Sequence, residues 1–285
     1  MIIAELDRSE CMALLAAARL GRLACCNDGR PYVVPIHFAL EGDFLYGFSL
    51  VGRKIAWMRA NPEAWTKESF LQVHNWWHLA LFHFELGEVG EVFALYDGPI
   101  FGARSKVALN MVDASAILWR LALGGIDAGG RWGPLADNWE ANAGAPSYAF
   151  NDAHAMMAFV GAGRTAAAAR LIEAQRAAME APGDNAAFTR DVGHPVTLAV
   201  HAFGEGNYAE TVRLLRPIRH IAHRFGGSHA QRDVIDLTLV EAAMRSGNVP
   251  LARALAAERF QARPDSPLSK IFVDRAQKLE ISPLP

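Results

Sequence analysis

Two histidines one helical turn apart are the first residues of this 285-residue chain that could do chemistry. His74 and His78 lie in the run FLQVHNWWHLALFHFE, and imidazoles at positions i and i+4 of a helix can chelate zinc. A catalytic zinc site needs a third protein ligand, no cysteine is nearby, and the adjacent glutamate of an HExxH motif is absent. The pattern favours rings that hydrogen-bond within a helix pair packed by Trp76 and Trp77, with metal binding as the weaker alternative.

A third histidine occupies a place equivalent to that of His78. His78 and His154 each lie nine residues before a glycine that separates two predicted helices. In an array of helical repeats, equivalent positions line one surface, so we expect these two rings to share a groove. Beside His154, Asn151 or Asp152 is expected to cap the start of a helix, which for that pair is favoured over catalysis.

Residues 226–233, GGSHAQRD, form the most concentrated polar cluster of the sequence. Ser228 is expected to be the N-cap of the helix that follows. A glycine-led helix start with free N–H groups and a nearby arginine, Arg232, can bind an anion, and Arg131 or Arg190 could add positive charge.

A structural role is the alternative for the same cluster, and it is favoured. Arg232 could form an ion pair with Asp191 or Asp233 that holds neighbouring repeats in register. The motifs GxGxxG, Walker A, GxSxG and CxxC do not occur, so no catalytic residue is assigned and enzyme activity stays open. The residues expected to line a ligand groove are His74, His78, Arg131, Asp152, His154, Arg190, His229, Arg232 and Asp233.

The elements that must position these residues are helices from about Trp65 onward. Four segments share a helix, a turn glycine and a second helix with leucine eight positions after the glycine: Gly87 with Leu95, Gly163 with Leu171, Gly206 with Leu214, and Gly247 with Leu255. Spacing near 40 residues is typical of helical-repeat arrays, and a degenerate unit is expected within residues 107–123. Chance recurrence of glycines in an all-α protein is the alternative.

The first 64 residues have a different pattern. Ser9 is expected to cap a short helix, and strands are expected at residues 22–26, 32–40 and 44–48. Asp28 and Gly29 suit the first turn of the resulting three-stranded meander. A second helix is expected from Gly52 to just before Asn61.

Composition and charge exclude several classes of protein. A net charge of −2 argues against nucleic-acid and anionic-membrane partners. The three cysteines all lie within the first 26 residues, two of them adjacent, which is a poor disulfide framework. The N-terminus lacks the basic and apolar regions of a signal peptide, so a cytoplasmic location is expected.

The helical part resembles the tetratricopeptide repeat protein 38 family from about Phe70 to Lys278. The resemblance implies an α-helical repeat protein without a settled activity. Relatives carry further helices before HNWWH, which this chain lacks. The resemblance is carried by HNWWH at 74–78, LYD at 95–97, VDASAILWRL at 112–121, RW at 131–132, FNDAH at 150–154, RDVG at 190–193, AQRD at 230–233 and SPL at 266–268.

Residues 5–63 resemble the flavin-binding split-barrel proteins of the nitroimidazole-resistance and pyridoxamine 5′-phosphate oxidase-like group. The resemblance is carried by GRLA at 21–24, PYVVP at 31–35, and GRKI at 52–55 ahead of Asn61-Pro62. It implies that Ser49, Gly52, Arg53 and Lys54 lie at the FMN phosphate; a solvated pair at a helix start is the alternative for the two cations. The later strands that close the family's barrel do not follow.

The sequence therefore predicts a mainly α protein, with a partial split-barrel α+β segment at residues 1–64 and a tetratricopeptide-like helical array at residues 65–285. Its predicted function is to bind a peptide or small polar ligand in a groove lined by histidine and arginine. An FMN-dependent oxidoreductase is the first alternative, and a metal-dependent hydrolase using His74 and His78 is the second. A homodimer that completes the sheet through the N-terminal segment is a further expected partner.

Overall fold

A computed structural model describes the backbone of residues 7–17, 20–27, 30–41, 44–48, 71–141 and 148–280, and the side chains of residues 7–17, 71–141 and 148–280. The chain divides into two compact units, residues 1–65 and 66–285. The predicted helix from Gly52 and the expected phosphate-binding residues Ser49, Gly52, Arg53 and Lys54 lie outside the described residues.

The N-terminal unit has one described helix, α1 (Arg8–Ala17), and three strands: β1 (Leu20–Asn27), β2 (Arg30–Glu41) and β3 (Phe44–Phe48). The strands form an antiparallel sheet in chain order, with Leu20 opposite His37 and His37 opposite Phe48. Ser9 is not the cap of α1. Asp7 accepts a hydrogen bond from the Glu10 amide at 2.8 Å while Glu10 accepts one from the Asp7 amide at 2.9 Å, so the cap lies two residues earlier.

The described part of the C-terminal unit is helical, which confirms the mainly α class. Short 3₁₀ or π turns occupy Tyr96–Ile100, Gly129–Arg131, Thr189–Gly193 and Arg216–Phe225. The α-helices are α2 (Gln72–Glu85), α3 (Val89–Leu95), α4 (Ala108–Leu123), α5 (Trp132–Glu140), α6 (Ala149–Gly161), α7 (Thr165–Met179), α8 (Asp184–Phe188), α9 (His194–Gly204), α10 (Tyr208–Leu215), α11 (His229–Arg245), α12 (Val249–Ala262) and α13 (Pro267–Gln277).

The four glycines singled out in the sequence each lie in the turn between two helices. Gly87, Gly163, Gly206 and Gly247 have φ angles of +73°, +66°, +75° and +72°. A side chain disfavours this left-handed conformation, and glycine adopts it readily. The turns reverse the chain between α2 and α3, α6 and α7, α9 and α10, and α11 and α12, and the two helices of each pair contact each other.

Helix α4 is the centre of the unit. Twelve of its 16 residues are buried, so it is covered on several faces and is not an amphipathic surface helix. It packs against α2, α6 and α11. Three of its buried residues are polar, namely Asp113, Ser115 and Arg120, and buried polar groups require hydrogen-bond partners. Among the described helices, none is long and apolar enough to cross a membrane.

Candidate functional site

The two histidines of α2 are joined to the central helix by a buried carboxylate. His74 Nδ1 lies 2.9 and 3.1 Å from the two carboxylate oxygens of Asp113, which is fully buried on α4. His74 Nε2 lies 3.1 Å from His78 Nε2. Since Nδ1 of His74 donates to the carboxylate, Nε2 of a neutral His74 carries a lone pair toward His78.

Asp113 accepts a second hydrogen bond, from a residue near the start of α11. The side-chain amide of Gln231, near the start of α11, donates to Asp113 Oδ1 at 3.2 Å. The side-chain oxygen of Gln231 accepts a hydrogen bond from the backbone N–H of Ser228. The backbone N–H of Gln231 donates in return to Ser228 Oγ. Ser228 is thus the N-cap, as predicted. Burial raises the pKa of Asp113, and its hydrogen bonds to His74 and Gln231 act in the opposite direction.

A buried arginine lies beside this chain of hydrogen bonds. Arg120 donates to the carbonyl oxygens of Ala116 at 2.9 Å and Ala230 at 2.6 Å, and its guanidinium lies 5.5 Å from the Trp77 ring centroid. Among the described residues, no carboxylate forms an ion pair with it. Burial lowers its pKa to about 10, so the guanidinium remains charged near neutral pH.

The neighbouring histidines are kept neutral. Burial, followed by the charges of His74 and Arg120, lowers the pKa of His78 to about 3. Burial also lowers the pKa of His154 to about 4, although its Nδ1–H donates to the Phe150 carbonyl at 2.8 Å. His154 Nε2 and Trp77 Nε1 are buried and have no hydrogen-bond partner within the described part of the chain. We call His74, His78, Asp113, Arg120, His154 and Gln231 the inner polar cluster.

Asp152 belongs to a separate buried group and does not cap a helix. Helix α6 begins at Ala149 and has no side-chain cap, so the cap predicted at Asn151 or Asp152 is wrong. Asp152 accepts instead from Gln175 Nε2 at 3.3 Å, and the same nitrogen donates to Thr197 Oγ1 at 3.0 Å. Burial raises the pKa of Asp152 to about 6.

A polar cleft opens between the Arg216–Phe225 turn and the start of α11. Its volume is about 280 Å³. We call it the basic cleft; it is lined by Arg219, Ala222, His223, His229, Arg232, Asp233, Ile235, Asp236 and Arg263. It contains three of the predicted groove residues, which follow one another closely at the start of one helix.

The ion pair predicted for Arg232 is wrong. Asp233 pairs with Arg259 at 2.8 Å and with Arg263 at 3.2 Å, and Asp191 pairs with Arg224 at 2.7 Å. These acidic side chains are therefore engaged by other arginines. The register between α11 and α12 is held by Asp233 with Arg259, both partly buried.

Arg232 instead bonds to two backbone carbonyls. It donates to the carbonyl oxygens of Gly226, at 3.2 Å, and Gly227. Both glycines have positive φ angles, +96° and +76°, and a Cβ at either would collide with Tyr148 or Phe150. Carbonyl partners leave the guanidinium charge unneutralised, and no carboxylate among the described residues forms an ion pair with Arg232.

The remaining two predicted arginines lie elsewhere. Arg131 forms a bidentate ion pair with Asp97 at 2.8 and 2.6 Å, and it lines a second cleft of about 390 Å³ with Tyr96 and Arg104. Arg190 donates to the Met179 carbonyl. Neither lines the basic cleft, so the structure does not bring the nine predicted residues into one groove.

Sequence reasoning missed Asp113, Arg120 and Gln231. Asp113 and Arg120 are the two ionisable residues of a strongly apolar helical run, VDASAILWRL, and this contrast is a signal that could have identified them. Gln231 lies within the segment AQRD. Among the described side chains, no group of three or more His, Cys, Asp and Glu residues could hold a metal ion. The hydrolase alternative therefore has no complete set of protein ligands there.

Comparison with known proteins concerns the N-terminal segment. Residues 7–71 match the family model described as pyridoxamine 5′-phosphate oxidase. An uncharacterized protein, RA0666, of Rhizobium meliloti (strain 1021) is 51% identical over 63 residues, which are 22% of this chain and 42% of that protein. The chain thus spans less than half the length of this relative. No solved structure matches the chain. The oxidase-like match ends just before α2, the first described helix of the C-terminal unit. The tetratricopeptide-type interpretation of the C-terminal helices therefore stays a prediction.

Proposed function

We propose that the helical unit binds a small polar ligand, and that an acidic group of this ligand lies in the basic cleft beside Arg232. The observation that carries this proposal is Arg232, which lines an open cleft and whose guanidinium, among the described residues, contacts the carbonyls of Gly226 and Gly227 and no carboxylate. A carboxylate or phosphate would supply the anion that the guanidinium lacks, with two parallel hydrogen bonds.

The rest of the cleft offers hydrogen-bond donors at its rim, while its other charges are paired within the protein. Arg219 is shared between Asp236 at 2.7 Å and Glu258 at 2.8 Å, so its charge is balanced within the protein. His223 and His229 are exposed at the rim and can donate further hydrogen bonds. A volume of about 280 Å³ suits a ligand of metabolite size or a single acidic side chain of a peptide.

The test is a titration of the full chain with inorganic phosphate and with citrate, followed by calorimetry. We expect saturable binding of at least one of them, and Arg232→Gln should weaken it at least about tenfold, since a charge-assisted bidentate contact is worth about 1.5–3 kcal/mol. Arg216→Gln is the matched control, because Arg216 is exposed on the same turn but does not line the cleft.

Two outcomes would sink this proposal. Equal affinities of the wild type and Arg232→Gln would place the anion elsewhere. A wild type that binds neither phosphate nor citrate would also contradict the proposal. His229→Gln is a second variant in case the loss of Arg232 loosens the Gly226–Gly227 turn. It changes the rim without touching those carbonyls.

We also infer that the described helices form a tetratricopeptide-like array, as residues 65–285 were predicted to do. The inference is supported by four glycine turns of matching geometry and by Asn207 and Asn248, which cap α10 and α12 directly after two of them. Against a regular array, α3 has only seven residues and π turns interrupt the chain after α3 and α8. An experimental structure showing a constant rotation between successive pairs is the test.

A second candidate function belongs to residues 1–64. We propose that this segment binds FMN, with Ser49, Gly52, Arg53 and Lys54 at the phosphate; the family match over residues 7–71 favours it. A bound flavin would supply redox chemistry. The purified chain should then be yellow and release FMN on denaturation, and native mass spectrometry would report a homodimer in the same experiment. A colourless chain that cannot be reconstituted with FMN would remove this candidate.

A further inference from the structure

We propose that His74 and His78 bind one divalent transition-metal ion of the zinc type, with water molecules in the remaining coordination positions. The proposal concerns α2 and α4 and does not depend on the basic cleft. The supporting observations are the contacts of three imidazole nitrogens, His74 Nδ1, His74 Nε2 and His78 Nε2, and the groups that hold the two rings. A hydrogen bond between the two rings is the competing interpretation.

The two outer nitrogens already converge. His74 Nε2 and His78 Nε2 are 3.1 Å apart. Zinc binds imidazole nitrogen at about 2.0–2.1 Å, so two nitrogens on one tetrahedral ion lie about 3.3 Å apart. The separation of the two nitrogens therefore already suits a chelate to within a few tenths of an ångström. The rings, which now meet edge-on, must turn so that both Nε2 lone pairs point at the ion.

The carboxylate behind His74 gives the ring the orientation that a metal ligand needs. Asp113 accepts the Nδ1 proton at 2.9 and 3.1 Å, which fixes the tautomer with a bare Nε2. Asp113 is itself held by Gln231 at 3.2 Å. A histidine whose second nitrogen donates to a held carboxylate is the usual support of a metal site.

Trp77 restrains both rings. It stacks on His74 with ring centroids 5.1 Å apart and meets His78 edge-on at 5.0 Å. The site is still reachable from solvent, since 15% of the His74 side chain is exposed. The pair is thus oriented in advance and open to an ion.

The chemistry of the donors selects the class of ion. Two imidazole nitrogens suit zinc, copper and nickel, whereas magnesium and calcium require oxygen ligands. Asp113 is not a ligand here, because both its oxygens face His74 Nδ1. His78 must move its proton from Nε2 to Nδ1 for the ion to enter, and no proton is gained or lost in that step.

The test is calorimetric titration of the full, metal-free chain with Zn²⁺, with Mg²⁺ as the control ion. We expect one Zn²⁺ per chain and no response to Mg²⁺. Asp113→Asn should weaken zinc binding about 10- to 100-fold, as removal of an outer-shell partner does, and His78→Ala should weaken it further. His220→Ala should bind as the wild type does, because His220 is an exposed histidine away from α2.

A measurement on the wild type guards against variants that fail to fold. Long-range ¹H–¹⁵N spectra of the imidazoles should show that Zn²⁺ shifts the Nε2 signals of two histidines together, with a His78 signal changing tautomer. The proposal is overturned if Zn²⁺ moves no imidazole signal at saturation. It is also overturned if a folded His78→Ala variant binds Zn²⁺ with unchanged affinity.

Discussion

Gln231 donates its side-chain amide to Asp113 at 3.2 Å although the two residues are 118 positions apart in the chain. This contact joins the first turn of α11, whose N-cap is Ser228, to the central helix α4, where the carboxylate is fully buried. The same carboxylate orients His74. Helix α2, the central helix α4 and the start of α11 therefore share one set of connected hydrogen bonds.

Removing Gln231 from this set of hydrogen bonds should destabilise the helical unit. Gln231→Ala deletes the donor to Asp113 and one half of the Ser228 capping box, so we expect a loss of about 2–4 kcal/mol in the free energy of unfolding. Urea denaturation measures it, with the exposed Gln261→Ala as control. A loss no larger than that of the control would show that Asp113 does not depend on Gln231.

The buried His154 should make the protein sensitive to acid. Its pKa is lowered to about 4 from 6.5, so as the pH falls below 6.5 the unfolded chain binds a proton that the folded chain does not. The free energy of unfolding should therefore fall by on the order of 3 kcal/mol between pH 6.5 and pH 4 because of this ring alone.

His154→Gln tests this directly. Stability curves of the variant should fall less between pH 6.5 and pH 4 than those of the wild type, whereas His220→Gln should follow the wild type. Parallel curves for the wild type and His154→Gln would mean that the ring accepts a proton in the folded state.

Asp152 should act in the opposite direction. Burial raises its pKa to about 6 from 3.8, so the folded chain holds a proton that the unfolded chain has released over that range. The contribution of protonated Asp152 to the free energy of unfolding, on the order of 3 kcal/mol, is therefore lost as the pH rises from about 4 to about 6.

Asp152→Asn keeps an oxygen for Gln175 and cannot ionise. Relative to the wild type, the variant should gain stability as the pH rises through this window and hold the gain at pH 7, measured by urea denaturation. Asp265→Asn, at an exposed site, is the control. A constant difference across pH would contradict the assignment.

Two glycines should respond to alanine for different reasons. Gly206 has a φ of +75° with nothing within 4 Å of an added Cβ, so Gly206→Ala should cost only the backbone strain, about 1–2 kcal/mol. Gly161 has ordinary helical geometry, but its Cβ would collide with the Trp132 ring.

Gly161→Ala should therefore disturb packing. We expect about 1–3 kcal/mol of overpacking cost together with a change in tryptophan fluorescence, which Gly206→Ala should leave unchanged. Thermal melting with fluorescence detection separates the two. An unaltered spectrum for Gly161→Ala would show that Trp132 moves aside freely.

Much of the helical fold follows from local chemistry that a sequence displays. A glycine between two apolar-periodic stretches predicts a left-handed turn whatever packs around it, and Gly87 and Gly247 behave accordingly. Ser228 was found for the same reason, since a cap is made with residues three positions away. Local rules also misplace boundaries by a few residues, as they do at Asp7 and Ala149.

The site was less predictable because its members are distant in sequence. Which carboxylate faces His74 depends on how α2 lies across α4, and no spacing rule contains that angle. Arg131 and Arg232 were grouped as cations of one groove, yet the partners that decide their roles, Asp97 and the Gly226–Gly227 carbonyls, depend on the folded arrangement. Residue type indicated the chemistry, and packing decided the neighbours.

The turn that holds Arg232 bears on how tightly the basic cleft can bind the proposed anion. Gly226 and Gly227 are pressed against Tyr148 and Phe150, so their carbonyls have little freedom to move. A guanidinium anchored on such carbonyls has already lost much of its rotamer entropy before any ligand arrives. The anion proposed above would then meet a fixed fork of donors, and its binding energy would not be consumed in ordering a flexible side chain.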